Sequence, residues 1–262
     1  MRCLRLLALP AIFVLCGAVS ALAGTFEVKS PDITQSQTIF SWNSAVRGRF
    51  PVNSDPTRYS TELDLGYSPT SWFFIGGKVN SDQAVDENWK TSTVGAEMQL
   101  RFGKARPGFD FGWYSSVDVR VSDQETNTFT FGPIIQFGDD KLSLTLNPFL
   151  QKTFGENRTE GLDFTYGVMA KREIKEGMAI GIEAYGTIPD AGSGTPVAFQ
   201  EHRIGPVLYF ERDFGQPKTK GGQQPKAALD IGVYFGMTEA TPDVTGKAKL
   251  SLGAKKSDDS DD

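Results

Sequence analysis

The chain has few of the residues that carry most catalytic and metal chemistry. Its 262 residues include two cysteines and one histidine. Both cysteines, Cys3 and Cys16, lie within the first 23 residues, which have the features of a removable leader. Without that leader, the mature chain has no thiol, no disulfide and no cysteine metal site. We therefore predict a protein with no cofactor and no bound metal.

The first 23 residues have the three parts of a secretory signal peptide. Two arginines supply positive charge, residues 6–19 are apolar, and Ala21-Leu22-Ala23 is a small-residue cleavage motif. The mature chain is expected to begin near Gly24. A retained membrane helix is an alternative, but the apolar run is short for a span. A lipid anchor on Cys16 is a second alternative, although the residues before it lack the usual small side chains.

The mature chain also lacks a basic run and a long apolar run. Removal of the two leader arginines changes the formal net charge from −5 to −7, and an acidic chain is a poor candidate for nucleic-acid binding. No apolar stretch after residue 24 is long enough for a spanning helix. A mature protein that crosses a membrane must therefore do so as a closed β-barrel.

Apolar and polar residues alternate in long stretches along the mature chain. Between residues 141 and 150, leucines occupy one parity and polar residues the other, which places them on opposite faces of a strand. Strands of about ten residues or more suit a tilted crossing of a bilayer better than a soluble sandwich. The pattern predicts twelve strands, near 37–48, 57–68, 72–80, 89–102, 109–121, 127–137, 141–152, 161–173, 178–188, 201–213, 226–236 and 244–253.

The predicted connections alternate in length. Short turns and longer polar loops follow each other, as in outer-membrane barrels with short periplasmic turns and longer outer loops. The stretch 215–225 is long for a periplasmic turn. If the predicted number of strands is wrong by two, the error is expected in this stretch. We predict an all-β, transmembrane, antiparallel up-and-down barrel of about 12 strands over residues 24–253, with an acidic, disordered tail over 254–262.

Aromatic residues concentrate near the predicted strand ends, which is typical of girdles at the lipid headgroups. A packing role is an equally good interpretation of any one of them, and only their distribution favours the girdles. They are Trp42, Trp72, Phe73, Trp89, Phe102, Phe109, Phe137, Phe154, Tyr209 and Phe214.

Five stretches resemble an uncharacterised group of Gram-negative outer-membrane barrel proteins, some labelled putative transporters. They are FEVKSP (26–31), LGYSPTSW (65–72), LNPFLQKTFG (146–155), EHRIGPVLYF (201–210) and GMTEATPD (236–243). The resemblance implies an outer-membrane location and carries over no functional residue. It also implies lipids, lipopolysaccharide and the barrel-insertion machinery as partners. That machinery commonly recognises an aromatic residue at the end of the last strand, whereas the last predicted strand here is followed by an acidic tail.

The polar parity of the strands is expected to line the lumen. Charges of both signs there favour a water-filled path for small polar solutes, in a passive channel or transporter. The alternative is a closed structural or ligand-binding barrel, in which these charges pair across a narrow interior. The lumen-lining candidates are Glu62, Asp64, Lys78, Glu97, Arg101, Asp118, Arg120, Lys171, Glu183, Arg203 and Asp230. Arg101, Arg120, Glu97 and Asp118 are expected to form a cross-strand ladder.

An enzyme is not predicted. A hydrolase remains a remote alternative because His202 could activate a serine, but none lies next to it in sequence, and Ser193 or a more distant serine would have to approach it in space. The loop with Asp82, Asp86 and Glu87 could hold a divalent cation. It lacks the regular spacing of a calcium loop, so we interpret it as a solvated loop that ions could bridge to lipopolysaccharide phosphates.

Overall fold

A computed structural model describes residues 26–49, 58–84, 87–106, 108–121, 126–139, 141–156, 158–214 and 223–256. The predicted signal peptide lies outside these ranges. So do most of the predicted tail and most of the 215–225 connection. The boundaries predicted for those segments stay predictions.

Twelve strands form the described chain, and the predicted all-β barrel of this strand number is confirmed. The last strand runs to Lys256, three residues into the predicted tail. The strands are β1 (Gln37–Gly48), β2 (Arg58–Thr70), β3 (Phe73–Ala84), β4 (Lys90–Arg106), β5 (Phe109–Arg120), β6 (Asn127–Gly138), β7 (Leu142–Phe154), β8 (Asp163–Lys175), β9 (Met178–Ile188), β10 (Glu201–Asp213), β11 (Gln223–Gly236) and β12 (Val244–Lys256).

Each strand pairs antiparallel with the next along the chain, and β1 pairs with β12 to close the barrel. The closing register runs from Gln37 opposite Lys255 to Gly48 opposite Val244. Closure matters because an open sheet edge would leave backbone groups unpaired in lipid. With an even strand count, the start of β1 and the end of β12 lie at the same end, beside the short turns. We refer to it as the periplasmic end, following the loop habit of such barrels.

The two faces of the sheet differ sharply in polarity. Leu63 and Leu65 of β2 are 45% and 61% exposed, whereas Glu62, on the opposite face of the same strand, is 8% exposed. The same division recurs in other strands, for example between exposed Ile182 and buried Glu183 of β9. The apolar side chains thus form an outward band, and the polar parity points inward. None of the helices in the described ranges is long and apolar enough to cross a membrane.

The β6–β7 turn illustrates how the periplasmic turns are built. Gly138 has a φ of 97°, a left-handed conformation that favours glycine. The carboxylate of Asp139 accepts the backbone N–H groups of Lys141 and Leu142 at 2.9 and 3.0 Å. These two hydrogen bonds stabilise the charged form and lower the pKa of Asp139 below its ordinary value.

The predicted aromatic girdles are correct in part. Trp42, Trp72, Trp89 and Phe102 are exposed on the outside, as expected for residues near the headgroups. Tyr209 was wrongly assigned to a girdle, because it lies on the inward parity of β10 and is 6% exposed. Its hydroxyl donates to Glu183 at 2.9 Å inside the barrel. The tyrosine is amphipathic, so its presence near a strand end does not determine which face it occupies.

Residues 26–35, which precede β1, lie inside the barrel and are called here the lumenal segment. Ser36 redirects the chain from the interior into β1 with a φ of 56°, and its N–H donates to the carbonyl of Ser68 at 2.7 Å. From there the segment extends away from the periplasmic end, past Gln136 and Asn147, toward Arg203 in the outer half. The sequence predicted no element at this position.

Candidate functional site in the barrel lumen

The barrel wall holds the backbone of the lumenal segment through two amide side chains. The N–H of Lys29 donates to Oδ1 of Asn147 at 2.6 Å, and Nδ2 of Asn147 donates back to the carbonyl of Lys29 at 2.9 Å. Nε2 of Gln99 donates to the carbonyl of Ser30 at 2.7 Å. Asn147 and Gln99 are themselves buried, so their amides are held in place. The segment is therefore bound much as a strand binds to its neighbour, but by side chains.

Four charges alternate in sign across the lumen from β12 to β4. Lys249 of β12 pairs with Glu27, and Glu27 pairs with Lys29 at 2.7 Å. Lys29 in turn pairs with Glu97 of β4 at 2.9 Å, where the hydroxyl of Tyr114 also donates at 2.8 Å. Such buried pairs hold a segment in one geometry, because separating them would leave charges without partners in a poorly solvated interior. The lumenal segment thus neutralises fixed charges on both walls.

An aromatic ring from the segment lies between two arginines in the outer half of the barrel. The ring centroid of Phe26 is 4.1 Å from the guanidinium carbon of Arg203 and 5.1 Å from that of Arg47. Tyr185 and Tyr234 flank the same ring at centroid distances of 5.4 and 6.5 Å. Cation–π contacts become stronger when both partners are shielded from water. The outer half therefore contains a packed group of side chains around Phe26.

Glu183 of β9 is the centre of a buried polar cluster. Its carboxylate accepts the hydroxyls of Tyr185 at 2.6 Å and Tyr209 at 2.9 Å, and Nζ of Lys247 at 2.9 Å. Tyr234 donates to it as well. The side chains of Lys247 and Glu183 are only 2% and 3% exposed. The β9–β12 wall therefore fills part of the lumen by itself, whatever the lumenal segment does.

The periplasmic half contains a cavity of about 430 Å³, called here the vestibule. Ser30 and Asp32 of the lumenal segment line one side of it, and strands β6 to β11 line the rest. Its polar lining includes Gln136, Lys171, Glu211, Lys226 and Asp230. The volume lies within the range of small-molecule sites. The vestibule thus extends from the turn residues Asp139 and Gly177 to Tyr209.

The structure places the lumen-lining candidates on the inward parity but pairs them differently from the predicted ladder. Lys78 pairs with Asp118 at 3.0 Å, Arg101 with Asp110 and with Asp32 of the lumenal segment, and Arg203 with Glu201. Arg120 binds Glu156 at 2.6 Å near the outer loops. Glu62 is buried, Asp64 is half-buried, and Lys171 and Asp230 line the vestibule.

The expected ladder of Arg101, Arg120, Glu97 and Asp118 is therefore wrong in its partners. Glu97 pairs with Lys29, which belongs to no strand, and Asp118 pairs with a lysine of β3. Alternation assigns a residue to a face, but it does not say which of several inward charges approach each other. The lumenal segment provides ion-pair partners that strand pairing alone cannot predict.

His202 and the acidic loop form neither a catalytic nor a metal arrangement in the described ranges. The ring nitrogens of His202 contact the hydroxyl of Tyr166 and Oε1 of Gln200, both at 2.9 Å. Glu87 pairs with Lys90 at 3.0 Å, and Asp86 lies outside the described residues. Among the residues described, no three His, Cys, Asp or Glu side chains cluster as metal ligands.

Sequence reasoning missed the lumenal segment and the tyrosines around Glu183. The segment carries one weak signal, because Phe26-Glu-Val-Lys alternates without a strand partner predicted for it. The tyrosines carry a stronger one. Tyr185 shares the parity of Glu183, and Tyr234 shares that of Asp230, so both occupy positions expected to be polar and lumenal.

The closed barrel, its outward apolar band and its polar interior define an outer-membrane β-barrel protein. No protein-family model matches the chain, and no curated protein matches it in sequence. Among solved structures, it is similar to a KdgM porin in complex with disordered oligogalacturonate (12% identity, TM-score 0.48, 84% of this chain and 99% of that one). It is also similar to the NanC porin (10%, 0.45, 83% and 99%) and to the translocator domain of the autotransporter NalP from Neisseria meningitidis (10%, 0.44, 85% and 88%).

Proposed function

We propose that the protein is a channel for small polar solutes and that the lumenal segment closes it in the conformation described. The observation that carries this proposal is the position of residues 26–35 inside the barrel, in contact with β4, β7 and β12. The segment is continuous with β1, and within residues 26–35 its backbone pairs with no strand as a ladder. It can leave without breaking the hydrogen bonds that close the barrel.

The polar lining supports a path rather than a filled core. Removal of the segment would extend the vestibule along the charged walls of β2 to β5, where Glu62, Glu97 and Lys78 point inward. Lumenal charges of both signs suit passage of hydrated polar solutes and would set ion preference. Because the segment pairs with Lys249 of β12 and Glu97 of β4, its departure would leave both charges facing the lumen without these partners.

A closed barrel that anchors or binds a partner is the second candidate. The cluster around Glu183 favours it, since strand residues alone occupy the β9–β12 side of the outer half. In that case the lumenal segment would fill the remaining space permanently. The two candidates differ in whether ions pass when the segment is free to move.

A reversible crosslink tests the channel directly. Cγ2 of Val28 lies 3.3 Å from the position of a Cβ at Gly167, so Val28→Cys with Gly167→Cys brings two sulfur atoms within bonding reach. The mature chain is predicted to have no other cysteine. In planar bilayers we expect almost no current from the oxidised barrel and at least a tenfold higher current after reduction. The single Val28→Cys variant should not respond to the reductant.

A variant of the full chain with Phe26→Ser, Glu27→Lys and Lys29→Glu, called here the release variant, provides the complementary measurement. It places like charges against Lys249 and Glu97 and removes the aromatic contact, so it should conduct persistently. Heat-modifiable migration in detergent gels checks that both variants are folded. If the reduced crosslink variant and the folded release variant both carry no current, the channel proposal fails. Equal current in both redox states would show that the segment does not close the path.

A further inference from the structure

The contacts that hold the lumenal segment are complementary to a peptide backbone rather than to a generic polar solute. Asn147 pairs with both the N–H and the carbonyl of one residue, Lys29, and Gln99 pairs with the carbonyl of the next. These three hydrogen bonds involve only the backbone of the segment, so any extended peptide could form them. Asn147 is 1% exposed, and its amide is oriented by these contacts. Ions and sugars present no adjacent N–H and carbonyl at this spacing.

The walls also supply a pattern of side-chain contacts around this backbone site. Lys249 faces the acidic residue 27 and Glu97 faces the basic residue 29, two positions further on. Residues i and i+2 of an extended chain point the same way, and here each meets a fixed charge of opposite sign. Arg203, Arg47 and Tyr185 enclose the ring of residue 26. The site therefore favours an aromatic residue at position 26, an acidic residue at position 27 and a basic residue at position 29.

We propose that this lumenal site binds short extended peptides that carry an acidic and a basic side chain two residues apart, and that the lumenal segment occupies it as an internal ligand. The inference rests on the proposed channel in one respect, because the segment must withdraw before a peptide can enter. A tethered ligand competes at a high effective concentration, of order millimolar for short linkers. A free peptide should therefore bind poorly to the native chain and well once the segment is weakened.

Fluorescence anisotropy measures this binding without requiring ion flow. The probes are labelled Phe-Glu-Val-Lys-Ser-Pro, which is the sequence of residues 26–31, and the same peptide with Glu and Lys exchanged. With the release variant in detergent, we expect the first peptide to bind at least tenfold more tightly than it binds the native chain. The exchanged peptide should bind at least tenfold more weakly, since both of its charges would face like charges.

Asn147→Ala in the release variant should weaken binding of the first peptide at least tenfold. Thr145→Ala is its matched control, because Thr145 lies two positions away on the same inward face, is equally buried and contacts Gln136 rather than the segment. Binding that is unaffected by Asn147→Ala, or equal for the two peptides, overturns the inference. A release variant that conducts but does not bind the peptide also overturns it and leaves the channel standing. A variant that binds the peptide without conducting retains the site and overturns the channel, and one that does neither overturns both.

Discussion

The outer and periplasmic halves of the lumen have similar polarity but opposite packing. In the outer half, Arg203 and Tyr234 are at most 2% exposed and flank the ring of Phe26. In the periplasmic half, Lys171 and Asp230 line an open vestibule of about 430 Å³. The strands of one barrel form the wall of both halves. The difference arises from side-chain size and from the segment, since tyrosines and a phenylalanine occupy the outer half.

For the proposed channel, this contrast assigns closure to the outer half and solute access to the vestibule. Fixed ion pairs and hydroxyl contacts make the outer half rigid, because each buried charge there depends on its partners. The vestibule charges line a cavity, and pairs such as Lys226 with Glu211 are half-exposed. We therefore expect substitutions in the outer half to change stability and gating, and substitutions in the vestibule to change only the passage of ions.

The largest effect is expected from Glu183→Ala. The substitution leaves the buried ammonium of Lys247 without a counter-ion and three tyrosine hydroxyls without their acceptor. Loss of one partner of a buried pair costs about 3–5 kcal/mol. Glu211→Ala is the matched control in the vestibule, because the half-exposed carboxylate of Glu211 pairs with half-exposed Lys226, and it should change the free energy of unfolding by less than about 1 kcal/mol. Urea titration of the detergent-solubilised barrel measures both, and equal losses would refute the contrast between the halves.

Phe26→Ala should open the outer half while the barrel stays folded. It removes the ring that Arg203 and Arg47 enclose, and each 1.4 kcal/mol lost from segment binding raises the open population about tenfold. We expect bursts of current in planar bilayers, at least several-fold more frequent than for the native chain. Phe102→Ala, at an exposed outward position, should leave the burst frequency unchanged. A similar increase in both variants would indicate a general loosening instead.

Lys171→Glu should shift ion preference only modestly. Lys171 lines the wide vestibule, where mobile ions screen a charge over about 8 Å at physiological salt. In the release variant, we expect the cation-to-anion permeability ratio to rise by roughly twofold, as measured by the reversal potential in a salt gradient. Leu142→Ser, an outward substitution near the same end, should not change the ratio. A shift of tenfold or more would mean that the vestibule, not the outer half, is the selective region.

The smallest effect concerns the β6–β7 turn outside both halves. Because the folded state lowers the pKa of Asp139, its ionised form contributes stability above the ordinary pKa of a carboxyl, and this contribution is lost as pH falls through the folded value. Thermal midpoints at pH 7 and pH 3 should therefore differ slightly more for the native chain than for Asp139→Asn, which keeps an acceptor but does not titrate. Identical differences would contradict the role of the carboxylate.

Most of the barrel follows from the sequence, and most of the site does not. Alternation gave the twelve strands and the inward parity of Glu183 and Arg203, because a strand has a strict period of two. It did not give the partner of Glu97, which is Lys29 of the lumenal segment. That contact joins residues 68 positions apart through a segment with no regular period, and neither local propensity nor strand register encodes it. Tyr209 failed for a related reason, since its amphipathic ring fits either face.

The position of the lumenal segment also constrains the order in which the barrel assembles. The segment precedes β1, and the pairing of β1 with β12 is the seam that joins the two ends of the sheet. The line of charges from Lys249 to Glu97 joins β12 to β4, which are four strands apart when β1 pairs with β12 but eight strands apart along an open sheet. It therefore cannot form on a growing, open sheet. The segment can therefore dock in this position only after β1 has paired with β12, so the docked segment is a feature of the completed barrel.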